Sequence, residues 1–337
     1  MFTFVFMDRR VILLFLCITM ACVKVPDGGE DPPAPSLTVL IGTDGYGDGS
    51  YNDNMLTGIL RFKKAHPEIR LTLRQPGSIA DAETQLDDWL AAESDASRAL
   101  ILASNTYKPL LRGKPAPKSG RVLILESDES FPGHSSYIIR RYGASWLCGA
   151  MSAAFHPFVI KAMDGNDMID ESARGFSEGF HHVAGEDVTS RTLADGPEGF
   201  AMRDSTYRFL YKLMQETTVS AMPLVFPLLG GSISGVFDYS RYMGFILIAG
   251  MDVDCSSYNP YVVPYSLLVK NDCVLEGYLE DWLRGNAWPE HAEFGLESGN
   301  VDVLVNPAFA ADGNDLRALK DQYLPLAMEK EAAYEVE

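Results

Sequence analysis

Nowhere in its 337 residues does this sequence stay apolar long enough to cross a bilayer, which takes about 20 consecutive apolar residues. The apolar run at residues 11–21 is eleven residues long and stops at Ala21. Basic residues are also few: 28 Lys and Arg stand against 46 Asp and Glu, a formal net charge of −18. That balance argues against nucleic acid or anionic lipid as a partner, because both present phosphates that such a chain repels. Cysteine is scarce too. Of five cysteines, Cys17 and Cys22 fall in the first 22 residues, which leaves Cys148, Cys255 and Cys273. Three thiols make no disulfide framework. Spacing leaves open whether Cys255 and Cys273 pair, whereas Cys148 lies in an apolar run of small residues and is expected to be buried and free. No unit of 20 to 50 residues repeats, which excludes a solenoid. The His-Glu-x-x-His spacing is absent, and His181 and His182 project about 100° apart on a helix, so they do not share one metal easily.

What is present begins with a processing signal. Arg9 and Arg10 form a positive n-region, and residues 11–21 fit the apolar segment of a signal peptide. The segment closes on Thr19-Met20-Ala21-Cys22, which resembles a bacterial lipobox; Cys22 is then the acylated mature N-terminus. Met1 and Met7 both fit as the start. Residues 23–35 (VKVPDGGEDPPAP) carry four prolines, two glycines and three acids. Such a composition cannot bury enough apolar surface to offset ordering, so it reads as a tether. The expected organisation is a signal peptide at 1–21 and a lipid-anchored linker at 22–36. A soluble part follows, held to a membrane of a bacterial cell envelope by lipid alone and facing the periplasm or exterior.

About 300 residues then remain, too many for one typical core. Short apolar runs at 36–42, 69–73, 99–103 and 122–125 alternate with amphipathic spans at 52–65 and 80–92. The rhythm restarts with helical spans at 144–155, 169–182, 198–216 and 232–242 and strand-like runs at 157–162, 187–193, 222–226 and 244–249. A last helix is expected at 316–335. Strands separated by ten or more helical residues pair in parallel through right-handed crossovers. The predicted fold class is therefore α/β: two doubly wound parallel-sheet lobes joined by crossovers. The expected boundaries are 37–155 and 156–337, with the chain crossing back to the first lobe around 250–285.

In open parallel sheets, ligands bind beyond the carboxyl ends of the strands. After the first run come Asp48, Ser50, Tyr51 and Asn52 among glycines that let backbone approach a ligand. The third glycine of a dinucleotide fingerprint is Ser50 here, and an EF-hand would need a turn glycine and a terminal Glu that are both missing. Later runs end in Glu126, in Asp252 and in Lys270. Carboxylates and a lysine gathered there suit the hydroxyls of a small polar solute. The bland alternatives are a solvated glycine-rich turn and, for Asp252 with Lys270, an ion pair between lobes. An enzyme is disfavoured: Gly231-Ser232-Ile233-Ser234-Gly235 resembles a nucleophile elbow but misplaces its serine. No catalytic residue, metal or cofactor is implied.

Eight stretches bear a resemblance. They are GDGSYNDNMLTGI at 47–59, VLILES at 122–127, YGASWLCGAMSAA at 142–154 and MDGNDMIDESARGFSEGF at 163–180, then FPLLGGSISGVF at 226–237, AGMDVD at 249–254, PYSLLVKNDCVLEGYLEDWLRG at 264–285 and FGLESGNV at 294–301. In order and spacing the chain resembles the basic membrane protein (BMP) family of ABC-transporter substrate-binding lipoproteins, several of which bind purine nucleosides. The resemblance implies a type I periplasmic-binding-protein-like fold with a ligand cleft between the lobes, and a monomeric receptor for a small solute, handed to an ABC permease. It places Asp48, Ser50, Tyr51 and Asn52 in the ligand loop with the aromatic on a base, Glu126 at a strand end, and Asp252 near a ribose. It adds Lys270 with Asn271, and Gly230 with Gly231 in a close-approach turn. Tyr51 departs from a usual Phe and Glu126 from a usual Asp. Leu193 and Ala194 stand where aromatics are often found, leaving one face of a bound ring without its expected partner. A sensor or scavenger on the same scaffold, with no permease behind it, is the alternative.

Overall fold

The computed structural model describes residues 33–42, 45–47, 49–94, 97–218, 221–244, 246–309 and 315–334. The expected signal peptide, Cys22, most of the tether and Asp48 lie outside the described residues.

The first lobe is built on Ser36–Leu40 (β1), Arg70–Arg74 (β2), Arg98–Leu102 (β3), Arg121–Leu125 (β4) and Ser135–Ile139 (β5), joined by a late strand, His291–Phe294 (β12). They form one parallel sheet in the order β12-β5-β4-β3-β1-β2. Why its strands read as unbroken apolar runs is visible in β3. Ile101 turns to the cluster that holds Met55, Ile59 and Phe62 of Tyr51–Ala65 (α1), whereas Leu100 and Leu102 turn to Leu86 and Leu90 of Ile79–Ala91 (α2) and to Leu110 and Leu111 of the short Lys108–Leu111 (α3). A parallel sheet covered on both faces needs apolar residues on both. β5 is the strand the sequence hides: its SSYII opens on two serines, although all five residues are buried.

The second lobe comprises His156–Lys161 (β6), Asp167–Ala184 (α5), Thr189–Thr192 (β7), Arg203–Glu216 (α6), Pro223–Leu228 (β8), Ile233–Met243 (α7) and Leu247–Ile248 (β9), with sheet order β7-β6-β8-β9. Gly250–Asp252 (β10), Tyr265–Val269 (β11) and Val301–Val305 (β13) form a short sheet in the order β10-β11-β13, with β11 and β13 antiparallel. After β11 the chain returns to the first lobe: Asn271–Leu283 (α8) packs on α1, and β12 closes the first sheet edge. The return thus runs to residue 294, beyond the expected 285. The first crossover also differs from expectation. Tyr142–Met151 (α4), placed by the sequence in the first lobe, packs on α5 of the second and on Leu316–Ala332 (α9).

The α4–α5 contact is a backbone contact. A Cβ added at Gly149 would lie 2.0 Å from Phe176 O, one at Gly175 2.4 Å from Tyr142 O, and one at Gly179 1.9 Å from Trp146 O. Small residues four apart let two helices approach this closely, so only glycine fits. Among the described residues all three cysteines, Cys148, Cys255 and Cys273, are free thiols, and Cys148 is buried. No described helix is long and apolar enough to cross a membrane.

Where α4 leaves the first lobe, a buried and a half-buried carboxylate hold its first turn. Glu171 of α5 accepts from Arg141 N at 2.6 Å and Tyr142 N at 2.9 Å, and Glu331 of α9 accepts from Gly143 N at 3.1 Å and Leu296 N at 2.7 Å. Carboxylates suit a helix N-terminus. Burial nevertheless pushes the Glu331 carboxyl up to about 7; the Leu296 and Gly143 N–H groups oppose the shift, Glu171 adds to it, and Arg140 opposes it. A carboxyl raised above its unfolded value binds its proton more tightly when folded, so its contribution is complete below the unfolded pKa and fades as pH rises through about 7. Wild type should therefore lose stability between pH 5 and pH 8, and Glu331→Gln should flatten that loss by about 2 kcal/mol. Urea midpoints at the two pH values measure it; an unchanged difference in the variant would clear Glu331 of the effect.

Candidate functional site

A cavity open to solvent at its mouth lies between the lobes. In the first sheet, strand order changes direction between β3 and β1, and in the second between β6 and β8. The cavity lies at the carboxyl ends of these strands, where crossovers diverge and leave a crevice. Ser50, Tyr51 and Asn52 enter it at the start of α1, Ser104, Asn105 and Thr106 follow β3, and Arg141 follows β5. From the second lobe come Met168, Ile169 and Ser172 of α5, Phe200 before α6, Leu229, Gly230 and Ile233 after β8, and Asp252 at the end of β10.

The lobes touch across this cavity. Ser50 precedes α1 in the N-cap position but makes no side-chain cap bond; its hydroxyl instead donates to the Asp252 carboxylate of the other lobe. Asn105 and Asn166 exchange side-chain amide bonds at 3.2 and 3.3 Å. Lys108 holds Asp128 of its own lobe at 2.7 Å and Asp167 of α5. Asp167 is half exposed, whereas the lysine side chain is 12 % exposed.

Glu126 and Asp252 share one property: they are the two non-glycine residues with positive φ among the described residues, at 56° and 64°. Such backbone is costly for a side-chain-bearing residue and clusters at functional sites. Their side chains do different work. Asp252 lines the cavity. Glu126 is 1 % exposed and is bound end-on by Arg141, with Nη1 to Oε2 and Nη2 to Oε1 both at 2.9 Å, while Ile139 N adds a third bond at 3.2 Å. Glu126 thus acts behind the cavity wall, and the group presented in its place is a guanidinium. Burial works against the charge of Arg141, and Glu126, then Asp252, overcome it and hold its pKa above the ordinary value. Beside them, burial pushes the Tyr51 phenol well up; Glu126 adds to this and Arg141 opposes it.

Of the residues the sequence singles out, Ser50, Tyr51, Asn52, Gly230 and Asp252 line the cavity. Glu126 stands one residue behind it. Gly231 sits in the adjoining turn, outside the lining. Lys270 is exposed, gives its Nζ to Gly299 O at 2.8 Å and does not reach the cavity. Asp48 lies outside the described residues. Arg141, Phe200 and the Ser104-Asn105-Thr106 segment are additions. The last was legible, since it directly follows the buried run at 99–103. Phe200 was not: it follows no strand and belongs to a short 3-10 turn at Pro197–Ala201. Ser232, the serine nearest to a nucleophile elbow, is buried with its hydroxyl donating to Gly199 O at 2.7 Å and accepting from Met202 N at 2.6 Å. Among the described residues, no three His, Cys, Asp or Glu are grouped to hold a metal ion.

The chain matches no protein-family profile and no curated protein. Solved structures do resemble it. An ABC transporter system solute-binding protein from Aeropyrum pernix K1 superposes with a TM-score of 0.68 at 15% identity, over 90% of this chain and 87% of that one. An ABC transporter solute-binding protein from Bacillus halodurans C-125 with bound myo-inositol gives 0.61 at 10% identity, over 90% and 100%. A transcriptional activator of the comK gene from Bacillus halodurans gives 0.63 at 12% identity, over 88% and 97%. At such identities the likeness establishes the fold, the two-lobed α/β architecture of type I periplasmic binding proteins.

Proposed function

We propose that this chain is a solute-binding receptor that captures a small polar ligand between its lobes, and that the ligand is a purine nucleoside. The carrying observation is the cavity itself, to which both lobes contribute side chains and across which they touch. Ligand contacts on both lobes supply the differential affinity that closure requires. Tyr51 of the first lobe and Phe200 of the second give the cavity a ring from each side, so Phe200 offers the partner for a bound base that Leu193 and Ala194 do not. Asp252, steadied by Ser50, suits ribose hydroxyls. In this reading Cys22 carries the lipid, the protein is a monomer without cofactor, and an ABC permease receives the solute from the closed state. A sensory role without a permease is the second reading, favoured by the likeness to a transcriptional activator.

The test is thermal unfolding of ligand-free protein beginning after Cys22, against nucleosides, nucleobases, sugars and amino acids. A ligand at about 100 times its dissociation constant adds about 2.7 kcal/mol, a shift of several degrees. Asp252→Ala should weaken nucleoside binding by more than about tenfold, because it removes charge-assisted hydrogen bonds. Unchanged affinity in a folded variant would take Asp252 out of the site, and no shift with any nucleoside would refute that ligand class.

A further inference from the structure

The way Arg141 is held leaves one edge of its guanidinium for the cavity. The residue is 5 % exposed and stands at the N-cap position of α4. A guanidinium carries five N–H donors in a rigid plane. Nη1 spends both of its donors, on Glu126 Oε2 and on Ile139 O, each at 2.9 Å, and Nη2 spends one on Glu126 Oε1 at 2.9 Å. The Met168 sulfur also lies 3.3 Å from Nη1. Nε–H and the second Nη2–H remain, and among the described residues no acceptor meets them. These two run parallel along the side of the fork, the arrangement that pairs with two adjacent acceptors at once. Because Glu126 balances the charge and fixes the plane, the cavity meets an oriented pair of donors more than a loose positive charge.

The rest of the wall says what should carry those acceptors. A polyol needs a polar partner for nearly every hydroxyl, since polar groups buried without one are costly. The Ser104-Asn105-Thr106 segment of the wall is polar, but Met168, Ile169, Leu229 and Ile233 join the rings of Tyr51 and Phe200 in the lining. A flat heterocycle fits such walls, with its polar edge toward Arg141.

We propose that Arg141 is the specificity-determining residue of this cavity and reads two adjacent acceptors on a flat ring. The inference rests on the nucleoside reading above, within which it selects 6-oxopurines. Their O6 and N7 are adjacent acceptors that an arginine fork engages together. A 6-aminopurine sets its amino donor against an arginine donor and leaves a buried N–H unpaired.

The experiment is titration calorimetry on protein beginning after Cys22, stripped of any bound solute by unfolding and refolding. The probes are inosine, guanosine, adenosine, 7-deazaguanosine and myo-inositol. Inosine and guanosine should bind at least about tenfold more tightly than adenosine, and 7-deazaguanosine, which lacks the N7 acceptor, should bind about tenfold more weakly than guanosine. Arg141→Lys keeps a cation beside Glu126 without the fork and should bring inosine and adenosine within about threefold. If that variant does not fold, the wild-type series decides alone. Equal or tighter binding of adenosine, or undiminished binding of 7-deazaguanosine, overturns the role of Arg141 and leaves the nucleoside reading standing. Binding of myo-inositol with no nucleoside bound overturns both.

Discussion

Glu126→Ala should remove about 3–5 kcal/mol from the stability of the folded chain. The Arg141 guanidinium would keep its burial and lose both end-on bonds, and an uncompensated buried charge is among the most costly defects a core can carry. The residue's φ of 56° does not relax the penalty, because alanine tolerates left-handed backbone no better than glutamate does. Urea unfolding reads the effect. The double variant Glu126→Leu with Arg141→Met tests its cause, since removing both charges leaves neither one unpaired and often restores most of the stability. It should lie nearer wild type than either single substitution. A loss under about 1 kcal/mol in Glu126→Ala would mean that water reaches the pair and that the charges are already solvated.

Gly179→Ala should be the second severe change, through packing alone. The new Cβ would sit 1.9 Å from Trp146 O, and that obstacle is backbone, so no rotamer relieves it. The α4 and α5 helices must part, at about 3 kcal/mol or more. The damage also travels: α5 carries Met168, Ile169 and Ser172, so parting it from α4 moves one wall of the cavity. Affinity should fall together with stability. Gly277→Ala is the control, because a Cβ there meets nothing within 4 Å inside α8, and alanine is the better helix former by up to about 1 kcal/mol. If the two variants unfolded at the same urea concentration, the close approach of α4 and α5 would not be what glycine is needed for.

These residues also mark how far the sequence could be followed. The alternation of apolar runs and amphipathic spans carried the two-lobed α/β architecture, because a parallel sheet covered on both faces must write itself as unbroken hydrophobic stretches. It lost β5, whose serines bond inside the fold: Ser136 Oγ reaches Glu129 O at 2.7 Å. With that strand unread, Arg141 had no strand end to stand at, and Glu126 was legible as a strand-end acid but not as one already engaged. Lys270 shows the opposite limit. It does follow a buried strand, yet position along the strand does not say to which side a long side chain turns, and here it turns to Gly299. Gly175 and Gly179 are plain in the sequence, but that they face α4, and so move the crossover ahead of residue 142, depends on which two helices meet.

Lys108 has a consequence for the tempo of exchange. Two of its three carboxylate neighbours, Asp128 and Glu129, ride on its own lobe, and Asp167 alone rides on the other. Were the cleft to open as proposed, the lysine would not become an orphan; it would trade three neighbours for two. The contact surrendered ends in a half-exposed aspartate, and ion pairs of that kind hold with about 1 kcal/mol or less. Parting this one contact therefore costs little, and the buried Asn105–Asn166 pair and the Ser50–Asp252 bond are the stronger ties between the lobes. In the proposed receptor, dwell time would then follow the solute's own grip on the two walls, and a molecule that grips only one of them would leave as fast as the lobes part.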